Sequence, residues 1–133
     1  MDLKKITEKI SVSPQIMPQD MEAIKEAGFR AIICNRPDGE GADQPSFEEI
    51  EKAAKKAGIE AAYVPITSGV VRDEDVAAFG TALKDLARPV LAYCRTGTRS
   101  ATLWSFHESK KRSMAEILAA TKAAGYDMNG VAR

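Results

Sequence analysis

The chain has 133 residues, 44% of them apolar and 29% charged, the composition of one globular domain long enough to bury a core without disulfides or metals. Because 19 basic residues balance 19 acidic ones, no overall charge draws the protein to nucleic acid or to a membrane surface, and any basic site must be local. The 2 cysteines lie far apart, with no Cys-x-x-Cys pair and a single histidine, which argues against a zinc site or a disulfide framework.

The opening Met1-Asp2-Leu3-Lys4-Lys5 has charge but leads into no apolar stretch of signal-peptide length, and no later run is long enough to span a bilayer. A cytoplasmic protein without a membrane partner is expected. Ile10 and Val12 alternate with serines as a short strand closed by Pro14-Gln15. Pro18 suits a first helical turn, and Met21, Ile24 and Lys25 carry a helix over about 18–27 that Gly28 stops. Phe29 to Cys34 is a compact apolar run, read as a buried strand, and Asn35 to Gly41 must then be loop.

Ser46-Phe47-Glu48-Glu49 is a capping box that opens a helix rich in alanine and ended by Gly58. Ile59 to Ile66 reads as a strand whose Pro65, lacking an N–H, belongs at its end or beside an edge. After the loop Thr67-Ser68-Gly69, Asp73 or Asp75 caps a helix with Val76, Phe79, Leu83 and Leu86 on one stripe, and Pro89 terminates it. Val90 to Tyr93 is the next strand, a helix runs from Ser100 to about His107, and the capping box Ser113-Met114-Ala115-Glu116 opens a last helix that lasts until Gly125.

Strands alternating with helices imply an α/β domain over residues 1–133, a three-layer αβα arrangement around a mainly parallel sheet of four to five strands. Strands of a parallel sheet end on one edge, and ligands bind there. The loops at 13–15, 35–41, 67–69 and 94–99 should therefore converge, bringing Arg36, Asp38 and Ser68 toward Cys94.

Cys94 is the residue around which this edge is organised. A thiol between a strand end and a helix start faces backbone N–H groups and the positive end of the helix, which together favour its thiolate, so Cys94 is read as a nucleophile. In the arc Cys94 to Arg99, Gly97 allows dihedrals other residues resist, Thr96 and Thr98 support the turn, and successive N–H groups form an anion nest. Arg99 can offer a planar fork to an oxyanion. The candidate catalytic residues are Cys94 and Arg99, and the candidate anion-binding residues are Arg95, Thr96, Gly97, Thr98, Ser100, Arg36, Asp38 and Ser68. No cofactor or metal is implied. Cys34 is assigned to the core in preference to a resolving thiol, His107 to packing or the surface, and Lys110-Lys111-Arg112 to a solvated turn.

Two resemblances attach to these residues. Cys94-Arg95-Thr96-Gly97-Thr98-Arg99-Ser100 resembles the active-site loop of rhodanese-type sulfurtransferases, whose cysteine carries a persulfide. Asn35-Arg36-Pro37-Asp38-Gly39-Glu40, Tyr63-Val64-Pro65-Ile66 and Ala124-Gly125-Tyr126-Asp127 resemble the beta-lactamase-hydrolase-like protein family, and this likeness covers almost the whole chain. It implies a dual-specificity (tyrosine) phosphatase-like fold and, as a partner, a persulfide dioxygenase of the metallo-beta-lactamase fold. Phosphatases of that fold have a His-Cys pair, five residues between cysteine and arginine, and an aspartic general acid. Here Tyr93 precedes Cys94, four residues separate it from Arg99, and Thr67-Ser68-Gly69 stands where the acid is expected. These departures favour a sulfurtransferase that moves sulfane sulfur from thiosulfate or a small persulfide through a Cys94 persulfide. The alternatives are a cysteine phosphatase working through a phosphocysteine, and a non-catalytic module that binds an anion or a partner. The substrate in either catalytic case is a small anionic sulfur or phosphate compound.

Overall fold

Four parallel strands and a two-residue antiparallel edge make one sheet in the computed structural model, which describes residues 1–67 and 69–129. The strands are β1 (Lys4–Lys5), β2 (Ile10–Ser13), β3 (Ala31–Cys34), β4 (Glu60–Tyr63) and β5 (Val90–Tyr93), in the spatial order β1-β2-β5-β3-β4. β5 is thus the central strand, with Tyr93 opposite Ser13 on one side and Cys34 on the other. All residues of β2, β3 and β5 are buried, as continuous runs in a parallel sheet covered on both faces must be, whereas β4 is partly exposed at the edge.

The helices are α1 (Met21–Glu26, entered through a 3-10 turn at Pro18–Asp20), α2 (Phe47–Lys56), α3 (Asp73–Asp85), α4 (Thr98–Glu108) and α5 (Met114–Ala123). Two cores result, one on each sheet face. Val12, Ile33, Ala92, Phe79 and Trp104 pack under α3, α4 and α5. Ile32, Leu91, Tyr93, Ile24 and Ile50 pack under α1 and α2. This is the three-layer αβα architecture expected from the order of elements.

Both serine capping boxes form, with Ser46 Oγ accepting from the Glu49 N–H at 3.2 Å and Ser113 Oγ from the Glu116 N–H at 3.1 Å. Four expectations are corrected. The cap position of α3 is Arg72; Asp73 is its first helical residue, and Asp75 acts from inside the helix by accepting the Arg72 N–H at 3.0 Å. The strand after Gly28 begins at Ala31, because the Phe29 N–H closes the preceding helix on Ile24 O at 3.3 Å. β4 ends at Tyr63, although the Val64 and Ile66 N–H groups still reach Cys34 O and Asn35 O around Pro65. Helix α4 begins at Thr98, two residues ahead of Ser100, because Gly97 completes the turn at φ 96°. β1 carried no sequence signal, since two residues hold no periodicity. Among the described residues no helix is long and apolar enough to cross a membrane, and no group of three or more metal-ligating side chains occurs.

One polar side chain ties the sheet edge together. Asn35 is fully buried, donates from Nδ2 to Val64 O at 2.8 Å and accepts the Ser100 hydroxyl on Oδ1 at 2.8 Å, while its backbone N–H reaches Tyr93 O at 2.8 Å. It thereby links β3, the end of β4 and the first turn of α4. Asn35→Ala leaves the Val64 carbonyl and the Ser100 hydroxyl without these partners in a dry interior, so a loss of about 2–4 kcal/mol is expected in urea unfolding. A loss below about 0.5 kcal/mol would show that the tie is not stabilising.

Candidate active site

Cys94 follows the central strand directly and is buried, with 1% of its surface exposed. The chain turns at Gly97, whose N–H donates to Cys94 Sγ at 3.0 Å, so the sulfur closes the arc from within. That N–H belongs to the cap of α4, and the first-turn N–H groups behind it have no intrahelical acceptor. The result is a concentration of positive partial charge on the sulfur side of the loop.

Gly97 is fixed from outside as well. At φ 96° a side chain is strained, and a Cβ there would collide with the Tyr126 hydroxyl and lie 3.3 Å from the Ser13 carbonyl carbon. The Tyr126 hydroxyl donates to Thr96 O at 3.0 Å, clasping the arc from the segment after α5. Thr96 Oγ1 lies 3.1 Å from Thr98 Oγ1 and accepts the Thr98 N–H at 3.4 Å, so these hydroxyls brace the turn as expected. The Ser100 hydroxyl is committed to Asn35 and fully buried, which corrects its assignment from ligand contact to loop support.

Arg99 is half-buried and its fork is already occupied. Nη1 donates to Glu40 Oε2 at 2.7 Å and to Ile66 O at 3.0 Å, and Nη2 donates to Glu40 Oε1 at 2.9 Å. Arg36, 8% exposed, donates from Nε to Glu40 Oε1 at 3.0 Å and from Nη1 to Gln15 Oε1 at 3.0 Å. The carboxylate of Glu40 therefore bridges both arginines. Its bond to Arg99 above all, and that to Arg36, hold its carboxyl below the usual range. The same Glu40 contact, with the Cys94 sulfur close by, raises Arg99 further above its ordinary value.

An open cleft of about 870 Å³ runs past Arg36, Arg95, Arg99, Thr96 and Thr98, and Glu40 is the sole carboxylate among its described lining residues. Arg95 is exposed there. Asp38 does not line this cleft: its Oδ1 accepts the Phe47 N–H at 2.8 Å at the start of α2, which corrects its candidate role to that of a helix cap. Ser68 lies outside the described residues. Tyr93, standing where a histidine would, is buried against Cys34 with no hydrogen-bond partner for its hydroxyl among the described residues, and burial drives its acidity far below the ordinary range. Cys34 belongs to the core as read, donating to Arg36 O at 3.3 Å, and burial pushes its thiol up.

Three contributors went unrecognised in the sequence. Glu40 was legible only as part of a family-like segment, though its spacing from Arg36 is that of a local ion pair. Gln15 joins the site through Arg36 and through its N–H to Arg95 O at 3.2 Å. Tyr126 reaches back thirty residues, a distance no local pattern encodes.

A cysteine is thus cradled between a central parallel strand and a glycine-capped helix, with arginines on either side. The chain belongs to the family described as beta-lactamase hydrolase-like protein, phosphatase-like domain, whose model matches residues 2–111. A beta-lactamase hydrolase-like protein of Agrobacterium fabrum C58 is 32% identical over 105 residues, 79% of this chain and 24% of that protein, so the chain spans about a quarter of the relative's length. A crystal structure from Neisseria meningitidis Z2491, provisionally assigned as a phosphatase, superposes with TM-score 0.88 at 36% identity over 98% of this chain and 93% of that one. The catalytic core of the Saccharomyces cerevisiae PP-IP phosphatase SIW14 shares the fold, with TM-score 0.67 at 13% identity over 98% and 88% of the two chains.

Gly97→Ala is expected to lower stability by about 1–3 kcal/mol through backbone strain and the Tyr126 collision, and to slow alkylation of Cys94 by iodoacetamide. Tyr126→Phe should cost about 1 kcal/mol and leave the loop in place. Unchanged melting and alkylation in Gly97→Ala would refute the fixed arc. The depressed Glu40 carboxyl predicts a pH effect of definite sign. Its stabilising contribution is complete above its ordinary value of 4.5 and is lost as pH falls through the lower folded value, so wild-type protein should lose stability below about pH 4.5 more steeply than Glu40→Gln. Parallel acid limbs in the two proteins would contradict it.

Proposed function

We propose that this domain is a cysteine-dependent phosphatase of small phosphate compounds whose leaving group departs without protonation. The observation that carries this reading is the Gly97 N–H at 3.0 Å from Cys94 Sγ, with Arg99 on the same helix start, inside a phosphatase-like fold. Cys94 Sγ attacks phosphorus, an S–P bond forms as the ester or anhydride P–O bond breaks, and the leaving group takes the bonding pair. Water then cleaves the S–P bond, returning the thiol and inorganic phosphate. Arg99, Arg95 and the loop N–H groups hold the transferring oxygens, the electrostatic part of the catalysis. Substrate oxygens meet Arg99 by sharing it with Glu40 or displacing it.

The restriction to good leaving groups follows from what lines the cleft. Glu40 is held ionised by two guanidiniums and is a poor proton donor. Asp73 and Asp75 sit in the first turn of α3 and line no part of the cleft. General acid assistance is worth about 10²–10⁴-fold, so alkyl phosphates should suffer most.

A second reading rests on the loop length. Four residues between Cys94 and Arg99 make a tighter arc that suits a single sulfane sulfur, and sulfite departs from thiosulfate as a stable anion needing no acid. In that case Cys94 would carry a persulfide, and a persulfide dioxygenase would be the natural partner. The two readings separate cleanly. Phosphatase action predicts turnover of p-nitrophenyl phosphate in the presence of EDTA, inhibition by vanadate, little turnover of an alkyl phosphate, and loss of at least about 10³-fold in Cys94→Ser. Absence of turnover together with a one-sulfur mass increase after thiosulfate, lost in Cys94→Ser, would replace phosphate with sulfur transfer.

A further inference from the structure

The opposite edge of the sheet holds a second concave site. There the strands begin: Ile10 pairs with Val90, and the Val90 N–H donates to Lys9 O at 2.9 Å. Helix α4 runs from the cysteine loop to this edge, so its eleven residues separate the two places by about 16 Å. A cavity of about 270 Å³ opens here between α3 and the last turn of α4.

Its lining has a composition unlike that of the whole chain. Lys9, Lys84, Arg88, Lys111 and Arg112 line it, and Glu108 is the one carboxylate among its described lining residues, although acidic and basic residues are equal in number overall. Glu108 is already engaged, accepting Arg112 Nε at 2.7 Å and lying 3.6 Å from His107 Nε2. Among the described residues no carboxylate oxygen lies within 4.0 Å of Lys9, Lys84, Arg88 or Lys111. Four cationic residues without an ion-pair partner among the described residues thus line one hollow.

The floor is apolar. Ile10, Leu83 and Trp104 contribute to the walls, and Arg112 lies over the Trp104 ring at 5.9 Å from its centroid. His107 forms the remaining side, seated on Gly80 of α3, where a Cβ would stand 2.8 Å from the imidazole. The glycine therefore lets the ring lie flat against α3 and leaves the hollow open. The basic turn is exposed, as a solvated turn must be, and two of its three residues, Lys111 and Arg112, also line this cavity.

We propose that this cavity binds a small organic anion, a carboxylate or phosphate-type head carried on an apolar body. The head answers the unpaired cations, and the body covers Ile10, Leu83 and the Trp104 edge. A bare inorganic ion would leave the apolar walls unused. The cavity volume admits a ring or a short chain and no more. This site does not depend on Cys94 or on the reaction assigned to it.

His107 is the chain's single histidine and reports on the cavity without assignment ambiguity. Burial chiefly, with help from Lys111 and Lys110, holds its imidazole below the ordinary value, and an anion beside it must raise that value. The full chain is titrated with hexanoate, phenylphosphonate and inorganic phosphate while the His107 imidazole signals are followed by NMR. The expected result is a saturable shift with hexanoate or phenylphosphonate, an upward move of the His107 titration midpoint, and clearly weaker binding of inorganic phosphate. Both cations replaced in Lys84→Ser/Arg88→Ser are exposed, so the variant should melt as wild type does, and it should bind about tenfold or more weakly. No saturable shift with either organic anion, equal affinity for inorganic phosphate, or an unaltered response in the double variant would each overturn the proposal.

Discussion

A single backbone N–H sets the geometry on which the rest of this molecule depends. Gly97 donates to Cys94 Sγ across three residues, and it can do so only at a positive φ and only with no side chain between it and Tyr126. Every neighbouring contact acts on that bond. Asn35 and Ser100 fix the start of α4 to the sheet, Gln15 holds the carbonyl of Arg95, and Tyr126 holds the carbonyl of Thr96. The cysteine is consequently not a side chain on a flexible loop. It directly follows the central strand, with its sulfur held by the N–H at the start of the next helix.

The electrostatics of the edge are a competition for guanidinium groups. Arg36 and Arg99 are largely withdrawn from water, and a charge withdrawn from water requires a partner. Glu40 supplies it to both, which stabilises the resting site and at the same time occupies the fork best suited to an oxyanion. Arg95, exposed and free of such a partner among the described residues, is the cation that can meet an incoming anion first. The division follows from chain direction: Arg95 precedes the glycine turn and points outward, whereas Arg99 follows it and lies inward.

The sequence disclosed the layers, the parallel edge and the cysteine arc because those rest on local regularities: apolar runs of strand length, two serine capping boxes, and a glycine between threonines. It disclosed much less of what surrounds Cys94. Asp38 and Ser100 had the right chemistry for an anion site, yet one caps α2 and the other is spent on Asn35. A polar side chain near a site serves whichever unsatisfied backbone or side-chain group lies closest, and that is decided by packing. Tyr126 and Gln15 show the converse, since their roles exist only once distant segments meet. Lys111 and Arg112 are solvated as their sequence suggests, but nothing local tells that they line one cavity with Lys9 and Arg88, which precede two strands.

Loop length and fold pull the chemistry in different directions, and the resolution lies in what a transition state requires. A phosphoryl group in flight carries three equatorial oxygens, and the donors that meet them must already be oriented, because reorientation during reaction would consume the gain. Under the proposed reading such donors are the loop N–H groups and Arg95, with Arg99 joining once it is shared with or released by Glu40, and that carboxylate, the one among the described cleft residues, is kept ionised by two arginines. An acid-poor site of this kind can still cleave a bond whose leaving group is stable on its own. The same deficiency would cripple it toward an alkoxide. Under the proposed phosphatase reading, substrate choice is therefore set less by the shape of the cleft than by the acidity of the group that leaves.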